Sequence, residues 1–220
     1  VDNSPCAMLL PTYFFDFAED TNDYYFSPML GTYLRIVRIL VFIVTVFLVP
    51  AWMLLIRSPD SLPDMLSFLV PEQMKLPVVL QVLVIEFVID GLKLASLNTP
   101  SSLSNSFSVV AALILGEMAV AVKWFSPHVL LYCGFTAIAN FTQPSYELSY
   151  AFKFFRILLV VLVHFFGLWG FIGGTAFMLL TIGLTKTVTG ESYIYPLIPF
   201  NGKAFLQIFR RQKITKSKFK

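Results

Sequence analysis

Between Arg38 and Arg57 the chain runs for eighteen residues without a charge. A helix needs about 20 mostly apolar residues to cross the roughly 30 Å hydrocarbon core of a bilayer. Backbone amides in that core must bond within their own segment, so such a stretch reads as helix. Composition agrees. Of 220 residues, 57% are hydrophobic and 13% charged, against about 25% charged in a soluble domain. Mean hydropathy is +0.75. The pattern predicts an all-α polytopic membrane protein.

The chain divides into three parts. Residues 1–34 read as the end of a preceding soluble domain plus a juxtamembrane collar. Within them "CAMLLP" reads as a short strand stopped by Pro11, and Thr12 caps a brief helix in "TYFFDFAED". Tyr24, Tyr25, Phe26 and Tyr33 suit headgroup depth, where aromatic belts lie. Residues 35–186 are the transmembrane domain. Its first span is Ile36–Ile56, with Arg35 and Arg38 at the start, Pro50 within and Arg57 at the end. A proline- and acid-rich loop, 57–75, leads to span two, Leu76–Leu97. Span three is Phe107–Trp124. The stretch His128–Phe141 has fourteen residues, which suits a re-entrant or buried segment. "SYELSYAFKFFR" reads as an interfacial helix, and Ile157–Leu184 as one long last span. Residues 187–220 form a basic tail, with seven Lys/Arg and no acid from Lys203 onward. The positive-inside rule places this tail and the Arg35/Arg38 end in the cytoplasm, which requires an even number of crossings. Four spans plus the short segment meet that requirement; a fifth span would not.

Span two carries Glu86, Asp90 and Lys93. An ionisable group at the bilayer centre costs about 2.5–3.5 kcal/mol on insertion scales. Spacings of four and three place all three on one helix face. That face must look at protein or water. An ion path and an internal salt bridge both satisfy this. An Asp90–Lys93 pair would neutralise itself and leave Glu86 needing a partner. Glu117 is the isolated acid of span three. Beside it Ser108, Ala112 and Gly116 form a small-residue stripe that permits close helix approach, and Gly170 and Gly174 form another. Glu86, Asp90, Lys93 and Glu117 are the candidate pore or buried-charge residues, since acid rings favour cations.

Other chemistries find no support. There is no GxSxG, HExxH or P-loop, and neither His128 nor His164 has an adjacent metal-ligand partner. Cys6 and Cys133 suggest no disulfide framework. No enzyme activity, cofactor or metal is expected. The basic residues gather at one terminus without a recognition motif, so no nucleic-acid partner is expected. The tail fits anionic membrane lipid, at about 1 kcal/mol per charge.

Several stretches resemble one family. "VDNSPCAMLLPTYFFDF" followed by "DYYFSPMLGTYLRIVRIL" resembles the passage into the first span of the GerA-type spore germinant receptor A subunits. "NFTQPSYELSYAFKFFRI", with Pro144 and Tyr146, is similar to a later segment. "YIYPLIPFNGK", with Tyr193, Pro196, Pro199 and Phe200, is similar to that family's C-terminal close. "VPAWMLLIRSPDSLP" and "LIPFNGKAFL" resemble a sporulation branch of it. Thr189 and Ser192 depart from the family's frequent Phe and Pro, which puts the shape of that turn in question. The resemblance implies a multi-pass protein of the spore inner membrane that acts in germination. It implies a homo-oligomer working with other germination membrane proteins, its A subunit forming a cation-conducting pore. A non-conducting scaffold and a secondary transporter are the alternatives. No second copy of the span-two charge pattern is present, which counts against the transporter.

Overall fold

The computed structural model describes residues 12–18, 20, 25–58, 62–72, 74–98, 109–110, 113–143 and 145–209. They form seven α-helices and no strand beyond an isolated bridge between Lys186 and Ser192. The expected strand at Cys6–Pro11 lies outside the described residues. Near Thr12 the helix is a single 3₁₀ element, Phe14–Ala18.

Helix α1 is Pro28–Ile56. Ser27 caps it, its hydroxyl accepting from the Leu30 amide, and Pro28 fills the first turn, where its missing N–H costs nothing. Helix α2 is Val78–Asn98. A π-helical turn, Leu113–Met118, runs into the short α3, Ala119–Ala121, and the chain then turns at Lys123 with φ +57°. Helix α4 is Pro127–Asn140, capped by Ser126 with Pro127 at its start. Helix α5 is Tyr146–Phe166, capped by Ser145. Helix α6 is Leu168–Leu184 and α7 is Gly202–Phe209.

Two differences from the sequence reading stand out. The segment expected to be a separate interfacial helix is the first half of α5, and its Lys153 and Arg156 are buried, not wet. The expected single span over 157–184 is two helices. Gly167 breaks it at φ +61°, ψ −130°, a backbone conformation that only glycine adopts without strain. Residues 168–184 therefore fold back along α5.

Directions follow from contacts. Helices α1 and α5 run parallel, with Phe42 against Phe152 near one end and Arg57 bonded to the Val163 carbonyl at the other. Helix α2 runs antiparallel to α5, because Asp90 meets Lys153 while Glu86 meets Arg156. Helix α4 runs parallel to α2: Ser126 donates to the Gln81 side chain at its start, and Phe141 lies under Lys93 just past its end. One apolar core joins Val49, Trp52, Val82, Ile85, Val129, Cys133 and Val160. A second joins Phe42, Val46, Phe152, Leu159 and Met178. Cys133 is a free, buried thiol.

The segment before α1 meets the segment that follows α6. The Phe14 amide donates to the Tyr193 carbonyl at 2.9 Å, and Asp20 sits 3.8 Å from Arg38. Helices Pro28–Ile56 and Glu147–Phe166 are long and apolar enough to cross a membrane by length and composition, and Leu168–Leu184 is a shorter apolar helix. Large apolar side chains stand exposed along them, among them Leu40, Ile43, Phe154, Trp169 and Leu180.

Candidate functional site

Four charges from two helices converge between α1, α2 and α5. Glu86 and Asp90 are one turn apart on α2. Lys153 and Arg156 are one turn apart on α5. Glu86, Lys153 and Arg156 are 3%, 4% and 1% exposed. Lys153 Nζ lies 2.6 Å from Asp90 Oδ2 and 3.2 Å from Glu86 Oε2, and donates to the Glu86 backbone carbonyl at 2.9 Å. Arg156 Nη2 donates to Glu86 Oε2 at 2.9 Å. It also lies 2.7 Å from Oε1, out of line for a second hydrogen bond. Its Nη1 donates to the Thr45 carbonyl of α1 at 3.0 Å. Two acids and two bases make the quartet formally neutral. A buried charge is tolerated when paired and hydrogen-bonded, and this pairing ties three helices at one level.

The partners Lys153 and Arg156 were not anticipated from sequence. Lys93, on the same face of α2, lies 4.9 Å from the Phe141 ring centre and 5.8 Å from that of Tyr150. Both rings offer π faces that attract a cation. Asp90 is about one-third exposed at its side chain, and its buried Oδ1 accepts no hydrogen bond among the described residues.

Glu117 sits elsewhere. It lies in the π-helical turn and is exposed, with exposed Leu113, Ile114, Met118, Val122 and Trp124 around it in sequence. It makes no ion pair among the described residues. π-Helical turns recur at functional positions in helices. Gly116 has open space where a side chain would stand, and Ser108 and Ala112 lie outside the described residues. Gly170 and Gly174 face α5: a Cβ on Gly170 would lie 2.1 Å from the Leu162 carbonyl oxygen, and one on Gly174 2.7 Å from Leu159 Cδ2.

At the opposite end from the Gly167 turn, Tyr193 and Tyr195 receive the N-terminal segment. The Tyr13 hydroxyl donates to the Glu191 carboxylate, and the Tyr13 and Tyr195 rings are 5.1 Å apart. That hydrogen bond, with burial and the nearby negative charges, pushes the Tyr13 hydroxyl up to about 12. Burial raises Tyr193 as well. The turn bearing Thr189 and Ser192 closes through Gly190 at φ +85° and a bond from the Thr187 amide to the Glu191 carbonyl. Pro196 is buried, and Pro199 and Phe200 are exposed. Pro144 lies outside the described residues, as does the Tyr146 side chain.

Comparison with known proteins shows the family. The profile of the Bacillus/Clostridium GerA spore germination protein family matches residues 1–220. The chain belongs to the GerA family. It is 36% identical over 212 residues to Stage V sporulation protein AF of Bacillus subtilis (strain 168), an alignment covering 96% of this chain and 43% of that protein. It is 28% identical over 216 residues to spore germination protein GerLA of Bacillus cereus, covering 96% and 44%. It is 26% identical over 208 residues to spore germination protein KA of Bacillus subtilis (strain 168), covering 92% and 38%. This GerA-family chain thus spans about two-fifths of the length of these relatives. No solved structure matches it.

Proposed function

We propose that this chain is the membrane-embedded region of a spore germination protein, one subunit of a homo-oligomeric, cation-conducting channel in the spore inner membrane. The observation that carries the germination reading is the family match along the whole chain, with relatives named for germination and sporulation. Conduction is supported by Glu117, an exposed carboxylate on an apolar segment. A charge there is costly against lipid and favourable against water or a neighbouring subunit. Repeated around a ring, it supplies the acid girdle that selects cations. The buried quartet takes a different role in this reading: it fixes α1, α2 and α5 as one body against which the Glu117 segment moves. Other germination membrane proteins would supply the signal.

The proposed topology keeps both ends cytoplasmic. The meeting of Phe14 with Tyr193 supports this, as does the basic tail. Helix α4, at fourteen residues and about 21 Å, is short of a full crossing. It runs opposite to α5, so the pair leaves the parity of crossings unchanged however deep its turn lies.

The test is cation flux from liposomes carrying the full protein with its partners. Wild type passes cations, and Glu117→Ala reduces the flux at unchanged protein level. Robust flux that ignores Glu117→Ala removes the pore assignment. No flux from wild type with partners present favours the non-conducting scaffold.

A further inference from the structure

The end of the bundle opposite the Phe14–Tyr193 contact holds a cavity that neither the quartet nor Glu117 uses. Its volume is about 340 Å³, and it is lined by Met53, Ile56, Arg57, Val78, Val79, Val163 and His164. That volume falls among those of small-molecule sites, about 300–1,000 Å³. Three helix ends form it: the last turn of α1, the first of α2 and the last of α5. Its walls are aliphatic, with the polar groups Arg57 and His164 beside them.

Arg57 is held on one edge only. Its Nη1 donates to the Val163 and His164 carbonyls, both at 2.8 Å. Gly167 makes this fit, since a Cβ there would sit 3.3 Å from Arg57 Cζ. A guanidinium has five N–H donors. The two bonds engage Nη1 alone, and Nε and Nη2 have no acceptor among the described residues. Capping α5 explains Nη1, because a cation at a helix C-terminus is favourable. The rest of this exposed guanidinium faces outward beside the apolar hollow, where a ligand's anionic group can reach it. A rigid planar cation with open donors fits a phosphate bidentately. Apolar walls at the boundary of the apolar helices fit glycerol and the upper acyl chain.

We propose that this cavity binds the phosphate of an anionic phospholipid, with Arg57 on the phosphate, His164 beside it, and the acyl chain against Ile56, Val79 and Val163. The site lies at the depth where such a headgroup stands if the bundle spans a membrane as argued above. On that arrangement the lipid wedges α1, α2 and α5 at the end away from the cytoplasm.

Native mass spectrometry of the detergent-purified full protein tests this with three probes: dihexanoyl phosphatidylglycerol, dihexanoylglycerol without phosphate, and inorganic phosphate. The phospholipid should saturate at one molecule per chain, and dihexanoylglycerol should not. Inorganic phosphate should bind at least about tenfold more weakly, because it leaves the walls unused. Val79→Trp fills the cavity without touching the Arg57 bonds, and should weaken phospholipid binding by about tenfold or more, as should Arg57→Gln. Where Arg57→Gln fails to fold, Val79→Trp decides. Binding unchanged in Val79→Trp overturns the proposal. So does phosphate binding as tightly as the phospholipid, or phospholipid adducts that never saturate. Because none of these readings depends on conduction, a protein that passes no ions can still bind the lipid.

Discussion

Removing the Glu86 carboxylate is the sharpest test of the quartet. Glu86 accepts from Arg156 Nη2 and faces Lys153 Nζ at 3.2 Å. Glu86→Ala changes the formal charge of the cluster from zero to plus one. Lys153 keeps Asp90 at 2.6 Å, so its loss is partial. Arg156 keeps only the Thr45 carbonyl and becomes an uncompensated buried cation. Breaking a buried pair by removing one partner costs about 3–5 kcal/mol. For a chain of this size 1 kcal/mol moves Tm by about 2–4 °C, so Glu86→Ala should lower Tm by about 6–20 °C. The assay is thermal unfolding in detergent, read by loss of the monodisperse peak. Glu86→Met with Arg156→Met supplies the second arm. That pair removes both charges and keeps volume, and should recover most of the loss, since apolar replacement of a buried ion pair is often neutral or stabilising. A Glu86→Ala protein melting within about 2 °C of wild type would refute the reasoning. So would a double variant no more stable than the single.

The remaining predictions concern other parts of the molecule. Gly170→Ala and Gly174→Leu should each destabilise the α5–α6 hairpin by about 1–3 kcal/mol through overpacking, while Gly173→Ala, with nothing within 4 Å of its new methyl, should melt like wild type. Glu117→Ala should shift stability by less than about 0.5 kcal/mol, because the side chain is exposed, while lowering cation flux; a large loss of Tm would show that this acid holds the fold. Tyr13→Phe should loosen the N-terminal segment from the Glu191 turn, read as faster amide exchange at Phe14, which bonds Tyr193. The Tyr13 hydroxyl is raised in the fold, so its contribution is complete below the ordinary tyrosine value of about 10 and is lost as pH rises through about 12. Ultraviolet tyrosinate titration of wild type against Tyr13→Phe should therefore show one late-ionising group; its absence would remove the Tyr13–Glu191 contact.

Hydropathy marks α1 because the run between Arg38 and Arg57 is apolar, free of charge and nearly long enough to cross on its own. It misjudges 157–184 for the same reason. The run is apolar throughout, so a window of any length sees one span, and the break lies in the backbone angle at Gly167, which hydropathy does not measure. The small residues that make the return possible, Gly170 and Gly174, are visible, but their spacing states only that something approaches closely. It does not say that the neighbour is the preceding helix.

The quartet was half legible. Two acids four apart on an apolar helix must share a face, and that face cannot meet lipid. Their partners were hidden by ambiguity of period: Lys153 and Arg156 among Tyr and Phe fit a helix lying on a membrane as well as one buried with a single charged stripe. The discriminating signal was in the sequence but needed both helices at once. Glu86 and Asp90 are one turn apart, as are Lys153 and Arg156, and the signs are opposite. Two such pairs, each inside an apolar helix that cannot leave a charge unmatched, are one another's natural counterparts. Running the helices antiparallel brings Asp90 to Lys153, Glu86 to Arg156 and, two turns further, Val79 near Val163, where both line the cavity beside Arg57. A charge deep in an apolar helix is thus half of a constraint on register, and its other half is found by searching the remaining apolar helices for the opposite sign at the same spacing.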